Sequence, residues 1–250
     1  MSKVVAEGCG CFPTGRHYPG IAHLLRVVIR GLAPGFANDT PWHEIDVALV
    51  DVETTGRDAS VDRVVELGIV IGRRGEIVAR YNWLVDPGIP IPAEVTAIHH
   101  ITDEMVAGKP RFEAIAAEIA AALEGCVPAA YNALFDRAFL MSEFSRVRAT
   151  GTEERAGVHA LAHDVDWLDP LVWARDIQDT EKSRTLGDVA ARLGVQLEKA
   201  HRAQDDAEAA LRVLYVLARD PRMPRAYGAM VQEQRRLAQK QADARRTWRS

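Results

Sequence analysis

An α/β fold, a mixed sheet covered by helices, is what this 250-residue sequence predicts. Two observations carry it. Short apolar runs of strand length come first along the body of the chain, and helical periodicities then alternate with one further strand. The runs end in Gly, Pro, Asn and Asp, residues that stop strands and make turns. A composition of 48% hydrophobic and 26% charged residues is that of a globular protein of one large or two small domains, which excludes collagen, disorder and a coiled-coil rod.

The first 41 residues form an extension rich in Gly and Pro. Within it Ile21, Leu24, Leu25, Val28 and Leu32 recur at helical spacing, and Pro34, Gly35, Asn38 and Pro41 then read as a linker. The main domain is expected over 42–220. Val47 to Val52 reads as a buried strand that ends in the turn Thr54-Thr-Gly-Arg-Asp. Val64 to Ile71 and Glu76 to Val85 flank the turn Arg74-Gly75, so these strands should be antiparallel neighbours. Pro87 to Pro92 predicts an extended loop, with helical pattern after Thr102. Phe112, Ile115, Ala116, Ile119 and Leu123 share one helix face closed by Gly125. Cys126 to Tyr131 reads as a fourth strand, Phe135 to Arg148 as a helix, and Thr150 to His163 as a loop or insertion. Leu186 to Leu193, stopped by Gly194, and Ala203 to Leu217 read as two more helices. Residues 221–250 form a basic helical tail, with eight Lys and Arg against Glu233 and Asp243, whereas residues 44–220 carry 19 basic against 31 acidic residues. Such a tail could touch a polyanion or simply be a solvated helix end.

The longest apolar runs fall far short of the roughly 18 to 20 residues that span a bilayer, and Glu66 interrupts the one from Val64 to Ile71. No secretion signal is evident in MSKVVAEGCGCFPTG, and three cysteines, Cys9, Cys11 and Cys126, make no disulfide framework. A cytoplasmic protein is expected. Cys9, Cys11, His17 and His23 form only a weak zinc pattern.

Asp51 and Glu53 stand two apart at the end of the first strand, on one sheet face. Two acids emerging from VALVDVETTG are costly unless water, hydrogen bonds or a cation compensate. Tyr131-Asn-Ala-Leu-Phe-Asp136 repeats the arrangement with an acid in the first turn of a helix, and His201-Arg-Ala-Gln-Asp-Asp206 opens the last long helix of the domain. Each alone also fits a solvated strand end or a helix cap. Together, four carboxylates and one histidine are a complete set for hydrolysing a phosphodiester. Carboxylates select hard cations such as Mg²⁺ or Mn²⁺, two such ions activate water and stabilise the leaving oxygen, and a histidine takes the proton near neutral pH.

DVETTG at Asp51 to Gly56, YNALFD at Tyr131 to Asp136 and HRAQDD at His201 to Asp206 resemble the three motifs of the DEDDh, or DnaQ-like, 3′-5′ exonuclease family, proofreading exonuclease domains included. The resemblance runs from about Trp42 to Ala218 and takes in IPAEVTAIHHIT and SRTLGDVAARLGV between the motifs. It implies a ribonuclease H-like fold with a five-stranded mixed sheet and 3′-5′ release of nucleotides from single-stranded ends. By position it makes Asp51, Glu53, Asp136 and Asp206 the ligands of two Mg²⁺ or Mn²⁺ ions and His201 the general base. Spacing from His201 selects Asp206 over Asp205. Thr54, Thr55 and Gly56 match the turn that holds the terminal nucleotide, and His99, Asn132 and Phe135 match positions lining its pocket.

Three positions depart from the family pattern: Arg57 where an apolar residue is usual, His100 for a glycine, and Tyr131 for a frequent histidine. None removes an implied ligand. The expected substrate is a single-stranded DNA 3′ end, in proofreading beside a DNA polymerase subunit or in repair. RNA 3′-end trimming is the alternative with the same chemistry. A non-catalytic docking adaptor is the third, disfavoured because a binding module gains nothing from concentrating acids where phosphates must sit.

Overall fold

Val47–Thr54 forms the central strand β1 of the computed structural model, which describes residues 30–149, 161–197 and 201–247. Both of its faces are covered. Val47 and Leu49 belong to one apolar cluster, and Ala48, Val50 and Val52 to the other. A strand buried on two sides has no polar alternation, which is why this segment reads as an unbroken apolar run. β2 (Val64–Arg73) pairs antiparallel with β1, and β3 (Glu76–Leu84) antiparallel with β2. Arg74 at φ 53° and Gly75 at φ 86° make the two-residue turn whose twist suits a hairpin.

β4 (Val127–Ala129) runs parallel to β1 on its other side, giving the order β3-β2-β1-β4. The sheet therefore has four strands among the described residues, not five. The fifth position, beside β4, is held by a single bridge between Ala129 and Leu168. Ala130 N–H donates to the Leu168 carbonyl and Leu168 N–H to that of Pro128. Asp169 then caps a helix at once, so the segment has no room to extend into a strand.

Helices cover both faces. Two short ones follow the loop Pro87 to Pro92: α1 (Ala93–His99), in a stretch to which the sequence assigns no element, and α2 (Asp103–Val106), at the expected onset of helix after Thr102. α3 (Phe112–Leu123) buries Phe112, Ile115, Ala116, Ile119 and Leu123 as its periodicity predicts. α4 (Ala133–Ala149) starts two residues earlier than its pattern suggests. α5 (Pro170–Ile177) has no periodic signature, because Pro170 to Ala174 are all buried, yet it carries start signals in the Asp169 cap and Pro170 at its first position. α6 (Leu186–Leu193) and α7 (Ala203–Leu217) match the expected spans.

α8 (Tyr227–Thr247) takes up most of the basic C-terminal segment. Its first half enters the core: Tyr227, Met230, Val231 and Leu237 are buried in the cluster that includes Leu49 and Trp173. The Tyr227 hydroxyl accepts a hydrogen bond from Ala33 N–H at 3.0 Å. The expected helix Ile21 to Leu32 falls almost wholly outside the described residues, as do Cys9, Cys11, His17 and His23. Its last residues are not helical, and Gly31 bridges to Val165. No described helix is long and apolar enough to cross a membrane.

Candidate active site

Asp51 and Glu53 sit two apart on β1, opposite Gly68 and Glu66 of β2. β4 pairs with β1 only as far as Leu49, so the N–H of Val52 on that edge is free of the ladder. Asp136, in the first turn of α4 and 3% exposed, fills the vacancy: its Oδ1 accepts from Val52 N–H at 3.1 Å. The short strand thus docks the second motif's acid beside the first motif's pair.

Asp206 arrives from the other side, in the first turn of α7. Its Oδ2 accepts from the backbone N–H of His201 at 2.9 Å, closing the left-handed turn in which His201 has φ 66°. The His201 side chain is exposed. Donor atoms of Glu53, His201 and Asp206 lie within 4.8 Å of one another, a spacing that one cation could bridge.

The carboxylates raise one another's pKa. Burial pushes Glu53 up to about 8, with the charges of Asp206 and Glu66 adding to it. Asp206 is raised to about 6, again mainly by burial. Asp51 is held well above the usual range by burial, then by Asp136, Asp206, Glu53 and Glu66. Burial raises Asp136 as well. Four acids crowded so closely form an oxygen donor set whose charge calls for a hard cation, and the residues present therefore fit Mg²⁺ or Mn²⁺.

The positions expected to face the substrate lie in the turn after β1, in α1 and at the start of α4. Thr54 and Thr55 are buried in the turn after β1; Thr54 Oγ1 donates to the Gly56 carbonyl at 2.5 Å, and Thr55 Oγ1 accepts from Arg63 N–H at 3.0 Å. A Cβ on Gly56 would stand 2.3 Å from a carboxylate oxygen of Asp62, so a larger residue would have to displace that side chain, which accepts from Asp58 N–H. His99 is buried, and burial chiefly lowers its pKa; Nδ1 accepts from Ile101 N–H at 3.0 Å, leaving the neutral ring's proton on Nε2. Asn132, exposed and at φ 72°, begins α4, and Phe135 packs its ring 4.9 Å from that of Phe139.

Four residues that the motifs do not mark hold the cluster in place. Glu66 is fully buried on β2. It accepts from Arg202 Nη2 at 2.7 Å, from Asn82 Nδ2 at 3.0 Å and from Ala203 N–H at 3.2 Å, and so pins the start of α7 between His201 and Asp206. Asp169 accepts from the N–H groups of Asn132 at 3.0 Å and Ala133 at 3.1 Å while capping α5 through Leu171. Gln234 of α8 accepts in turn from Asp169 N–H at 2.8 Å. Glu143, buried in α4, takes both guanidinium arms of Arg63 at 2.8 and 3.0 Å and so ties the Thr55 turn to that helix. Glu66 had a sequence signal, a lone acid inside an apolar strand. Asp169 announces itself only as a helix cap, and Gln234 and Glu143 announce nothing locally.

A mixed sheet whose inner strand β1 carries two acids, joined by two more and a histidine from the starts of α4 and α7, under helices on both faces, is a ribonuclease H-like architecture. The family model described as exonuclease, of the RNase T type, matches residues 49–214. This chain belongs to that exonuclease family, the DnaQ-like 3′-5′ exonucleases. It is 36% identical over 159 residues to the DNA polymerase III subunit epsilon of Treponema pallidum, covering 63% of this chain and 69% of that one. It is 32% identical to the PolC-type DNA polymerase III of Streptococcus suis over 84% of this chain, but spans 14% of that far longer protein. Exonuclease X, solved in complex with 5′-overhanging duplex DNA, superposes with a TM-score of 0.54 at 24% identity, over 69% of this chain and 91% of that one.

Proposed function

We propose that this exonuclease removes nucleotides one at a time from the 3′ end of single-stranded DNA, using two Mg²⁺ or Mn²⁺ ions. The observation that carries the reading is the mutual crowding of Asp51, Glu53, Asp136 and Asp206, with His201 within 4.8 Å of Glu53 and Asp206. In this reading the four carboxylates hold the ions. The ions, when bound, neutralise the scissile phosphate and lower the pKa of the attacking water.

His201 takes the proton from that water. Its backbone is fixed by the Asp206 carboxylate while its ring stays exposed, so it can give the proton on to solvent. The Thr54-Thr55-Gly56 turn supports the terminal nucleotide. His99, neutral with its proton on Nε2, and Asn132 offer hydrogen bonds to it, and Phe135 offers a ring face. Proofreading beside a replicative polymerase is a setting for such an activity, and the epsilon-type relative is by name a polymerase III subunit.

The test is a time course on matched 5′-labelled single-stranded DNA and RNA with Mg²⁺, Mn²⁺ or EDTA, comparing wild type with Asp206→Ala. A metal-dependent ladder that shortens the DNA from its 3′ end, absent in the variant, is expected. Preferential loss of RNA would overturn the substrate, and cleavage that survives EDTA would overturn the metal ions.

A further inference from the structure

A cleft of about 730 Å³ opens beside Asn132 and runs between α5, the loop before α6 and the far half of α8. Its walls include Tyr131, Asn132, Arg175, Lys182, Arg184 and Arg245, with no acidic residue among those that line it. This is a departure in a body with 19 basic against 31 acidic residues. Several arginines elsewhere on the surface are paired, Arg80 with Glu208, Arg222 with Asp220 and Arg236 with Glu233, whereas single ones such as Arg57 and Arg74 are not among the described residues; what sets the cleft apart is that its cations converge on one groove. Arg175, Lys182 and Arg245 form no ion pair among the described residues; burial chiefly lowers the pKa of Arg175, the charge of Arg245 adds to this, and that of Asp169 opposes it. Arg184 spends its Nη2 on the carbonyls of Gln178 and Asp179, both at 2.6 Å, while its Nε is buried without a partner. Tyr131 is half-buried, its hydroxyl tied at 2.7 Å to the Arg184 carbonyl.

Like charges left facing one another in a groove are held at an electrostatic cost that an anion would remove. Unpaired cations alternating with an aromatic ring suit a single strand, which offers phosphates and base faces together. We infer that this cleft binds the phosphodiester backbone of the strand where it leads away from the terminal nucleotide past Asn132, with α8 supplying one wall. The inference rests on the exonuclease reading above and adds to it a second contact region, outside the carboxylate cluster. Because the first half of α8 is core, deleting residues 221–250 would unfold the protein rather than report on binding, and point substitutions are needed.

The experiment compares wild type, the double variant Arg175→Gln/Arg245→Gln and the control Arg74→Gln, which removes a cation from the β2–β3 turn. Two substrates are used, a single-stranded DNA 20-mer and the p-nitrophenyl ester of thymidine 5′-monophosphate, a mononucleotide with no upstream phosphate for Arg175 and Arg245 to hold. In the double variant KM for the 20-mer should rise about tenfold, and the slope of log KM against log salt should fall by about 1.4, two phosphate contacts at roughly 0.7 each. Hydrolysis of the small ester should be unchanged, and Arg74→Gln should match wild type on both. An unchanged KM and salt slope for the 20-mer with the small ester still cleaved would overturn the cleft as a strand path. So would equal losses in Arg74→Gln. No metal-dependent hydrolysis of either substrate by wild type would instead overturn the exonuclease reading itself.

Discussion

Glu66 bears on the candidate site through a single side chain. Its carboxylate is buried and satisfied by Arg202, Asn82 and Ala203, so it is the anchor of the turn that presents His201 and Asp206. Glu66→Gln keeps the shape but loses the charge-assisted bonds, and should cost about 1 to 3 kcal/mol in urea unfolding. It should also lower kcat more than it changes KM, because it displaces His201, the proposed general base, rather than the strand. The opposite sign is expected at Glu53. Glu53→Gln removes a carboxylate that the fold holds at a pKa of about 8, so the metal-free protein should gain roughly 1 to 2 kcal/mol, allowing for solvent screening, while hydrolysis is lost. Thermal melts in EDTA beside an activity assay separate the two effects, and a destabilised Glu53→Gln would contradict the crowding. Asp51, Glu53, Asp136, His201 and Asp206 were legible in the sequence because each lies in a short local motif. Asp169 and Gln234 were not, since their roles exist only once α5 and α8 have packed.

Elements set the site's geometry through length and close approach. β4 is legible as a strand, but its shortness, which frees Val52 N–H for Asp136, is not, because a three-residue strand and a six-residue one share the same apolar letters. The missing fifth strand has the same origin, an extended segment cut off by the Asp169 cap. α5 escaped periodicity by being buried nearly all round. α7, by contrast, has a clean amphipathic pattern, and its placement depends on Gly68: a Cβ there would meet the backbone of Ala203 and Gln204 at 2.4 Å. Backbone cannot give way as a side chain can, so Gly68→Ala should push α7 off β2, carrying Asp206 away from Glu53. At least a tenfold loss of kcat is expected, with a stability cost of about 1 to 3 kcal/mol, typical of overpacking. Gln234→Leu tests the contribution of α8. It strands the N–H of Asp169 and the indole N–H of Trp173, and denaturant unfolding should show a loss of about 2 to 4 kcal/mol for the two buried donors.

At the scale of the whole molecule the carboxylate cluster makes stability depend on pH and divalent cation together. A carboxyl group whose folded pKa lies above its unfolded value keeps its proton longer in the native state. The native state then binds more protons than the unfolded chain, and stability falls as pH rises toward the folded pKa. For Glu53 that window runs from about 4.5 to about 8, and Asp51, Asp136 and Asp206 act in the same direction. Two other groups act elsewhere on the pH scale. His99, buried and lowered from 6.5, weakens the fold only as pH drops below that value, and Asp220, lowered to about 2 beside Arg222, contributes stability lost only in strong acid. The window of Asp206 closes near pH 6 and that of Glu53 near 8, so between about pH 6.5 and 8 Glu53 carries the trend, and the melting temperature in EDTA should fall across that interval. Mg²⁺ held by the ionised cluster as proposed should reverse the trend, raising the melting temperature more at the upper pH, since stabilisation grows by about 1.4 kcal/mol for each tenfold gain in affinity. Calorimetric scans with EDTA and with saturating Mg²⁺ at both pH values check both signs. A melting temperature in EDTA that rises with pH would mean that the four acids are not crowded as described, and the case for a two-ion site would lose its footing.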